Sequence, residues 1–304
     1  MSRTRAHSVD ARLGAAAVLS AVLIWGFTNT LIKVSPLPAL TFAVDRLWLG
    51  TLLLLCALFA TRRRLSRADV WSSAPGGALL GIEISFFFSA IKHTSIADVA
   101  VISALQPALI LLVAGRLFGE RVGTRELAWT ALSLVGVVLV TIGSAGTPAW
   151  SLGGDLLAVG SLIAWSGYFL VSKHARMTVP TLEYTTVVFA VATLVVTPLA
   201  LATGQPLTGV RAADLVPLVA FVLGASVGHL LLAWAQRAVD VTVSSLITLA
   251  MPVVSAVAAL LILGEPLTPL TIAGGVIVLG SLAAIVGRVS TVVADDVDAE
   301  LPQT

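Results

Sequence analysis

The stretch ALQPALILLVAGRLFGE, residues 104–120, combines a long apolar run with a proline near its start and a Gly-Glu pair at its end. The chain repeats this combination as LAMPVVSAVAALLILGE at residues 249–265. Pro107 and Pro252 lie 145 positions apart, and the two closing Gly-Glu pairs keep the same separation. This shared spacing of proline and helix end indicates that one segment has been copied within the chain.

Further matches show how far the copy extends. Ser103 and Thr248 pair at the same separation, and WGFTNTLIK at residues 25–33 pairs with WSGYFLVSK at residues 165–173. Because the matches keep their order across most of each half, they predict two homologous halves. The predicted organisation is, in chain order, a tail, a first repeat, a second repeat and an acidic tail: residues 1–13, 14–143, 153–288 and 289–304.

The composition is that of a membrane protein. Hydrophobic residues make up 58% of the chain and charged residues 11%, with a mean hydropathy of +1.01. A helix needs about 20 apolar residues to cross a bilayer, and runs of that length recur from end to end. Since the runs lack the alternation of barrel strands, we predict an all-α integral membrane protein.

Breaks in the hydrophobic pattern predict ten transmembrane helices. Eight is the alternative if two weak segments lie flat, and the weakest opens with SSAPGGA. The predicted spans are 14–33, 37–60, 73–91, 96–118, 125–143, 153–173, 184–203, 214–235, 241–263 and 269–287.

The distribution of basic residues predicts the orientation. With ten spans and a cytoplasmic N-terminus, fourteen of the 18 Lys and Arg residues fall on the cytoplasmic side, as the positive-inside rule requires. We therefore expect a multi-pass protein of the cytoplasmic (inner) membrane with both termini inside. The TRRRLSR cluster fits anionic lipid, and the net charge of +2 gives no reason to expect nucleic acid as a partner.

Five spans in each half is an odd number, so the second half enters the membrane from the opposite side. Inverted halves around a central cavity are a recurrent design of secondary transporters, because exchanging their conformations moves the opening from one side to the other. The sequence therefore predicts two inverted five-helix repeats.

The order of motifs resembles the drug/metabolite transporter superfamily, and within it the ten-helix family built from two EamA domains. The resemblance is carried by WGFTNTLIK, FAVDRLWLG, the ALQP and LAMP pair, the helix ends FGE and LGE, and GDLLAVGSLIAWSGYF. It covers about residues 14 to 288. It implies a basket of helices around a central cavity, and efflux of amino acids, other metabolites or drugs.

Each repeated proline should kink its helix, because it removes the hydrogen bond to the carbonyl four residues earlier. The acceptors freed by Pro107 and Pro252 are the carbonyls of Ser103 and Thr248. Either these positions line the cavity, or the kink is satisfied by hydroxyl groups and packing.

Polar and aromatic residues at helical spacing supply the candidate cavity lining. In lipid such stripes face other helices, through hydrogen bonds between helices, or a water-filled path. The candidates outside the charged groups are Trp25, Asn29, Ser103, Gln106, Trp165, Tyr168 and Thr248.

Three ionisable residues fall inside spans, where such groups are costly and commonly functional. Glu83 and His229 come within one position of each other when the repeats are aligned, so we expect them to flank the same cavity. The hypothesis is that Glu83, with His229, binds an amino or cationic group or carries an exchanged proton; the alternative is a neutral, hydrogen-bonded carboxyl. Arg46, next to Asp45, is expected to have a structural or gating role.

Three smaller features carry expectations of their own. The GxxxG pairs beginning at Gly77 and Gly224 allow close helix packing, within the bundle or at a homodimer contact. Cys56 is predicted to pack inside its span. Glu120 and Glu265 are expected to bond the turns leading into the fifth and tenth spans.

Enzyme motifs are missing from the sequence: it contains neither HExxH nor a glycine-rich phosphate loop ending in GK. We therefore expect no catalytic residue, metal or cofactor, and a small-molecule substrate moved with proton or substrate counter-transport. A channel or facilitator is the alternative, and a membrane-embedded enzyme or scaffold is a more distant one.

Overall fold

A computed structural model describes residues 2–34, 37–94, 96–120, 123–145, 151–207 and 212–299. All regular secondary structure in these ranges is helical. The helices are, in chain order, α1 (Ser2–Val34), α2 (Ala39–Ala60), α3 (Arg67–His93), α4 (Ile96–Ser103), α5 (Gln106–Phe118), α6 (Thr124–Ala145), α7 (Leu152–Ala175), α8 (Thr181–Ala202), α9 (Ala212–Ala235), α10 (Val241–Ile247), α11 (Met251–Leu263) and α12 (Pro269–Ala299).

The helices form ten apolar segments. Within the described residues, nine segments are long and apolar enough to cross a bilayer, and Pro269–Ala284 adds a shorter apolar helix. Two of the nine consist of paired helices, α4 with α5 and α10 with α11. These segments correspond to the ten predicted spans, so the prediction of an all-helical, multi-pass fold is confirmed.

Several helices extend beyond the predicted spans. The α3 helix begins at Arg67 because Ser66 and Asp69 form a reciprocal capping box, with bonds of 3.0 and 2.9 Å between backbone and side chains. The α1 and α12 helices continue into the segments predicted to be tails, beginning at Ser2 and ending at Ala299.

The first proline stretch is two helices and not one kinked helix. After α4 ends at Ser103, a turn in which Leu105 N–H bonds the Ile102 carbonyl at 3.1 Å leads into α5. Pro107 is the second residue of α5, where the backbone N–H that proline lacks has no helical partner to lose. The helix ends at Gly119, which adopts the left-handed conformation with φ of 70°.

The second proline stretch follows the same plan. A single 3-10 turn, Thr248–Ala250, separates α10 from α11, and Pro252 again follows the first residue of the new helix. The carbonyl of Thr248 accepts a hydrogen bond from the N–H of Met251, so the acceptor expected to be free is satisfied by the turn itself. This half-helix also ends at a left-handed glycine, Gly264.

Packing follows the internal repeat. The repeat pairs α1 with α7, α2 with α8, α3 with α9, α4–α5 with α10–α11, and α6 with α12. The contacts of α3 with α7 and of α1 with α9 are equivalent under this pairing, while α2–α8 and α6–α12 each join a helix to its own counterpart. The two halves therefore interlock through equivalent helix pairs.

Both predicted glycine pairs pack inside the bundle. A Cβ on Gly77 would lie 2.8 Å from the backbone carbonyl oxygen of Val188, and one on Gly228 would lie 2.2 Å from the indole nitrogen of Trp25. These glycines let α3 approach α8 and let α9 approach α1. Cys56, in contrast, is exposed, so its predicted packing role inside the bundle is wrong; it shares the outer side of α2 with apolar residues such as Phe59.

Glu120, expected to bond the turn leading into α6, bonds the start of α10. Its two carboxylate oxygens accept hydrogen bonds from the backbone N–H groups of Val241 and Thr242, at 2.8 and 3.1 Å. A helix N-terminus favours this arrangement because its first N–H groups lack helical partners and carry partial positive charge. Lys173 Nζ donates to the carbonyl of Val239 at 2.7 Å. Glu120 and Lys173 therefore both bond the backbone around the start of α10.

Candidate functional site

Four aromatic rings from three helices meet inside the bundle. Trp25 of α1 lies with its ring centre 6.1 Å from that of Trp165 of α7 and 5.0 Å from that of His229 of α9. Trp165 and Tyr168 stack at 5.2 Å with nearly parallel planes. We call Trp25, Trp165, Tyr168 and His229 the aromatic cluster; it joins the first helices of both repeats to α9.

The position of His229 is fixed by its neighbours. Its Nδ1 lies 3.3 Å from the Tyr168 hydroxyl oxygen, and Phe189 of α8 presents its ring edge-on at 5.3 Å. His229 and Tyr168 are both buried. Phe189 was not among the sequence candidates, because one phenylalanine in an apolar span carries no distinguishing signal.

A hydroxyl network continues from the cluster along α7. Ser172 lies four residues after Tyr168, one turn further along α7. Ser172 in turn makes a hydrogen bond with the hydroxyl of Tyr184 on α8. The stripe predicted on α7 therefore serves both the cluster and the packing of α7 against α8.

Glu83 is held beside the aromatic cluster. The hydroxyl of Ser161, one turn before Trp165 on α7, donates a hydrogen bond of 3.4 Å to its carboxylate. Its side chain is half-buried although it lies in the middle of α3. Glu83 and His229 both approach α7, one through Ser161 and the other through Tyr168.

Arg46 supplies a positive charge from α2. Its guanidinium lies 5.3 Å from the centre of the Phe221 ring, a cation–π contact with α9. It is close enough to interact electrostatically with Glu83 and with His229. Its Nε, like Oδ2 of the adjacent Asp45, is buried without a hydrogen-bond partner among the described residues. Sequence reasoning anticipated Arg46 but not Phe221.

The two helix interruptions touch each other across the bundle. The Thr248 hydroxyl lies 3.1 Å from the Gln106 side-chain oxygen and 2.6 Å from the Ser245 carbonyl oxygen, and these two acceptors share its single hydrogen. The amide nitrogen of Gln106 is buried without a partner in the described part of the chain. Ser103 is half-buried at the end of α4. The side chain of Asn29, a further candidate on α1, lies outside the described residues.

The site thus places a carboxylate, a guanidinium and a cluster of aromatic rings in the interior of a helical bundle. Rings of this kind pack against apolar or cationic groups, and the two charges offer partners for an ammonium and for an anion. No group of three His, Cys, Asp or Glu side chains suited to a metal ion occurs within the described ranges.

Comparison with known proteins identifies the family. The model of the EamA-like transporter family matches the chain twice, over residues 12–142 and 152–287. The chain belongs to the EamA-like transporter family. The resemblance found in the motifs is thereby confirmed, and the helical bundle described above is that of an EamA-like membrane transporter.

Two relatives and one solved structure are similar to this EamA-like transporter. The uncharacterized transporter YwfM of Bacillus subtilis is 31% identical over 60% of this chain and 62% of its own length. The uncharacterized protein PA1977 of Pseudomonas aeruginosa is 28% identical over 84% of this chain and 86% of its own. A crystal structure at 20% identity has a TM-score of 0.78, covering 90% of this chain and 98% of that one, and shows the same fold.

Proposed function

We propose that this EamA-like protein is a secondary active transporter that exports small amino-acid-like metabolites or amphiphilic drugs by alternating access. The observation that carries the proposal is the Glu83 carboxylate, half-buried in mid-span, hydrogen-bonded to Ser161 and within the electrostatic reach of Arg46. An ionisable group is costly at that depth, so its position favours a function in binding or ion movement.

The repeat supports alternating access. Because α3–α7 and α1–α9 are equivalent pairs, the two halves can exchange conformations without losing the contacts that hold them together. The half-helices α4–α5 and α10–α11 would form the moving walls, since their interruptions meet at Gln106 and Thr248. In this proposal the halves have opposite membrane orientations and both termini are cytoplasmic.

Different residues contact chemically different parts of the substrate. Glu83 receives an amino or cationic group, or exchanges a proton when that group leaves, and His229 takes part through Tyr168. Trp25 and Trp165 pack against the apolar portion of the substrate. Arg46 acts as a gate, because it bridges electrostatically between Glu83 on α3 and the aromatic face of Phe221 on α9.

A thermal-shift screen of amino acids, nucleosides and cationic drugs on the purified protein tests the proposal. Compounds that raise the melting temperature are then followed as labelled solutes in proteoliposomes. The proposal requires flux that saturates with concentration and responds to a proton gradient or to trans substrate. Flux that is linear in concentration and insensitive to both would instead assign a channel or facilitator.

A further inference from the structure

A cavity that none of the aromatic-cluster residues line lies where α2 ends and α8 begins. Its volume is about 440 Å³. Its lining includes two arginines, Arg63 and Arg237, and two apolar residues, Leu182 and Leu230. Thr181, the first residue of α8, also contributes to the wall. The cavity therefore combines cationic and apolar surface at one end of the bundle.

The α8 N-terminus gives this cavity further positive character. The helix has 22 residues, and its N-cap is Pro180, which makes no side-chain hydrogen bond to the first turn. The first N–H groups of a helix lack helical partners and together carry about half a positive charge. Such a terminus is a ready site for an anion.

A buried arginine behind Thr181 supports the same conclusion independently. Arg176 is only 1% exposed, and its Nε and Nη2 donate to the Ala233 carbonyl at 2.7 Å and to the Thr181 hydroxyl at 2.6 Å. Its Nη1, on the same planar group, is buried and has no partner among the described residues. Burial, together with the charge of Arg237, lowers the pKa of Arg176 to about 10.

Three arginines and Glu183 lie close together at the start of α8. Glu183, in the first turn of α8, lies 3.3 Å from the guanidinium of Arg63 and compensates one of the three arginines. Arg176 and Arg237 lie close enough to repel each other, while Glu183 also attracts Arg176. An added anion beside Arg237 would relieve this repulsion.

We propose that this cavity binds a phosphate group at the start of α8, held by Arg237, Arg63 and the helix N-terminus. The group comes from an anionic phospholipid or from free phosphate. Leu182 and Leu230 provide apolar surface for the glycerol and first acyl carbons, which favours the lipid. The site lies at the end of the bundle that the charge pattern predicts to be cytoplasmic, where anionic lipids are enriched.

The test measures binding to purified, delipidated protein in dodecyl maltoside. The probes are dioleoyl phosphatidylglycerol, dioleoyl phosphatidylcholine and inorganic phosphate, followed by thermal shift and by native mass spectrometry. Phosphatidylglycerol should bind more tightly than phosphatidylcholine, and Arg237→Gln should weaken it by about tenfold or more, because it removes a charge-assisted hydrogen bond. Arg237 is exposed, so this variant leaves the core intact.

Arg64→Gln is the matched control, because Arg64 lies beside Arg63 in the same exposed loop but does not line the cavity. It should leave the affinity within about twofold of wild type. Inorganic phosphate that binds as tightly as the lipid, with the same loss in Arg237→Gln, supports the site with free phosphate as its source. Equal affinity for the two lipids without phosphate binding, or equal losses in both variants, would overturn the proposal.

Discussion

Gly228 sets the position of Trp25, and replacing it with alanine should displace the ring. The added Cβ would lie 2.2, 2.7 and 2.9 Å from three atoms of the indole. An ordinary contact begins near 3.4 Å, so the ring would have to move by about 1.2 Å, toward a space already occupied by His229 and Trp165. Overpacking of this kind costs roughly 1–3 kcal/mol, against about 1 kcal/mol gained from the better helix propensity of alanine.

We therefore expect Gly228→Ala to lower the free energy of unfolding by up to about 2 kcal/mol, and the melting temperature in detergent by up to roughly 8 °C. Gly280→Ala is the control, because a Cβ there meets nothing within 4 Å. It should be neutral or slightly stabilising.

A double-mutant cycle identifies the cause of the loss. Trp25→Phe removes the part of the ring that carries the indole nitrogen, so it should partly rescue Gly228→Ala, with a coupling of about 1 kcal/mol. If the two losses simply add, the clash with Trp25 does not explain the effect of Gly228→Ala and the reasoning fails.

Two further predictions concern the half-helices. Glu120→Ala removes the acceptor for Val241 and Thr242, so their amide hydrogens should exchange at least about fivefold faster, consistent with the loss of about 1 kcal/mol of capping; unchanged exchange would show that the cap does not form. Thr248→Val removes the donor to Gln106 and should cost about 1 kcal/mol in thermal unfolding. Adding Gln106→Leu to Thr248→Val should then lower the stability by less than Gln106→Leu does in wild type. If the losses of stability in the two single variants simply add, the contact between Thr248 and Gln106 is contradicted.

Much of the fold is encoded in local pattern. The helical segments can be predicted from apolar runs of bilayer length and from the 145-residue repeat, because both patterns are visible in the order of residues along the chain. The helix interruptions were harder to predict, since Pro107 and Pro252 indicate that the regular helix is disturbed but not whether it bends or stops. The early start of α3 depends on a capping box, Ser66 with Asp69, that hydropathy does not detect.

The candidate site was less accessible to sequence reasoning. Mid-span position identified Glu83 and His229, because charge in an apolar run is unusual. The contacts of Phe189 and Phe221 could not be foreseen, since any aromatic residue in a span can face lipid or protein. Glu120 was assigned to the nearest helix in sequence, whereas its partner is 121 residues away, a distance that only the tertiary fold bridges.

The central claim is that Glu83 takes part in coupled transport. The most direct test is the pH dependence of solute flux in proteoliposomes, comparing wild type with Glu83→Gln, which keeps the size and the contact with Ser161 but cannot exchange a proton. Wild-type flux should respond to an imposed pH gradient, and the variant should lose that response. A variant with unchanged flux and unchanged pH dependence would remove Glu83 from the mechanism.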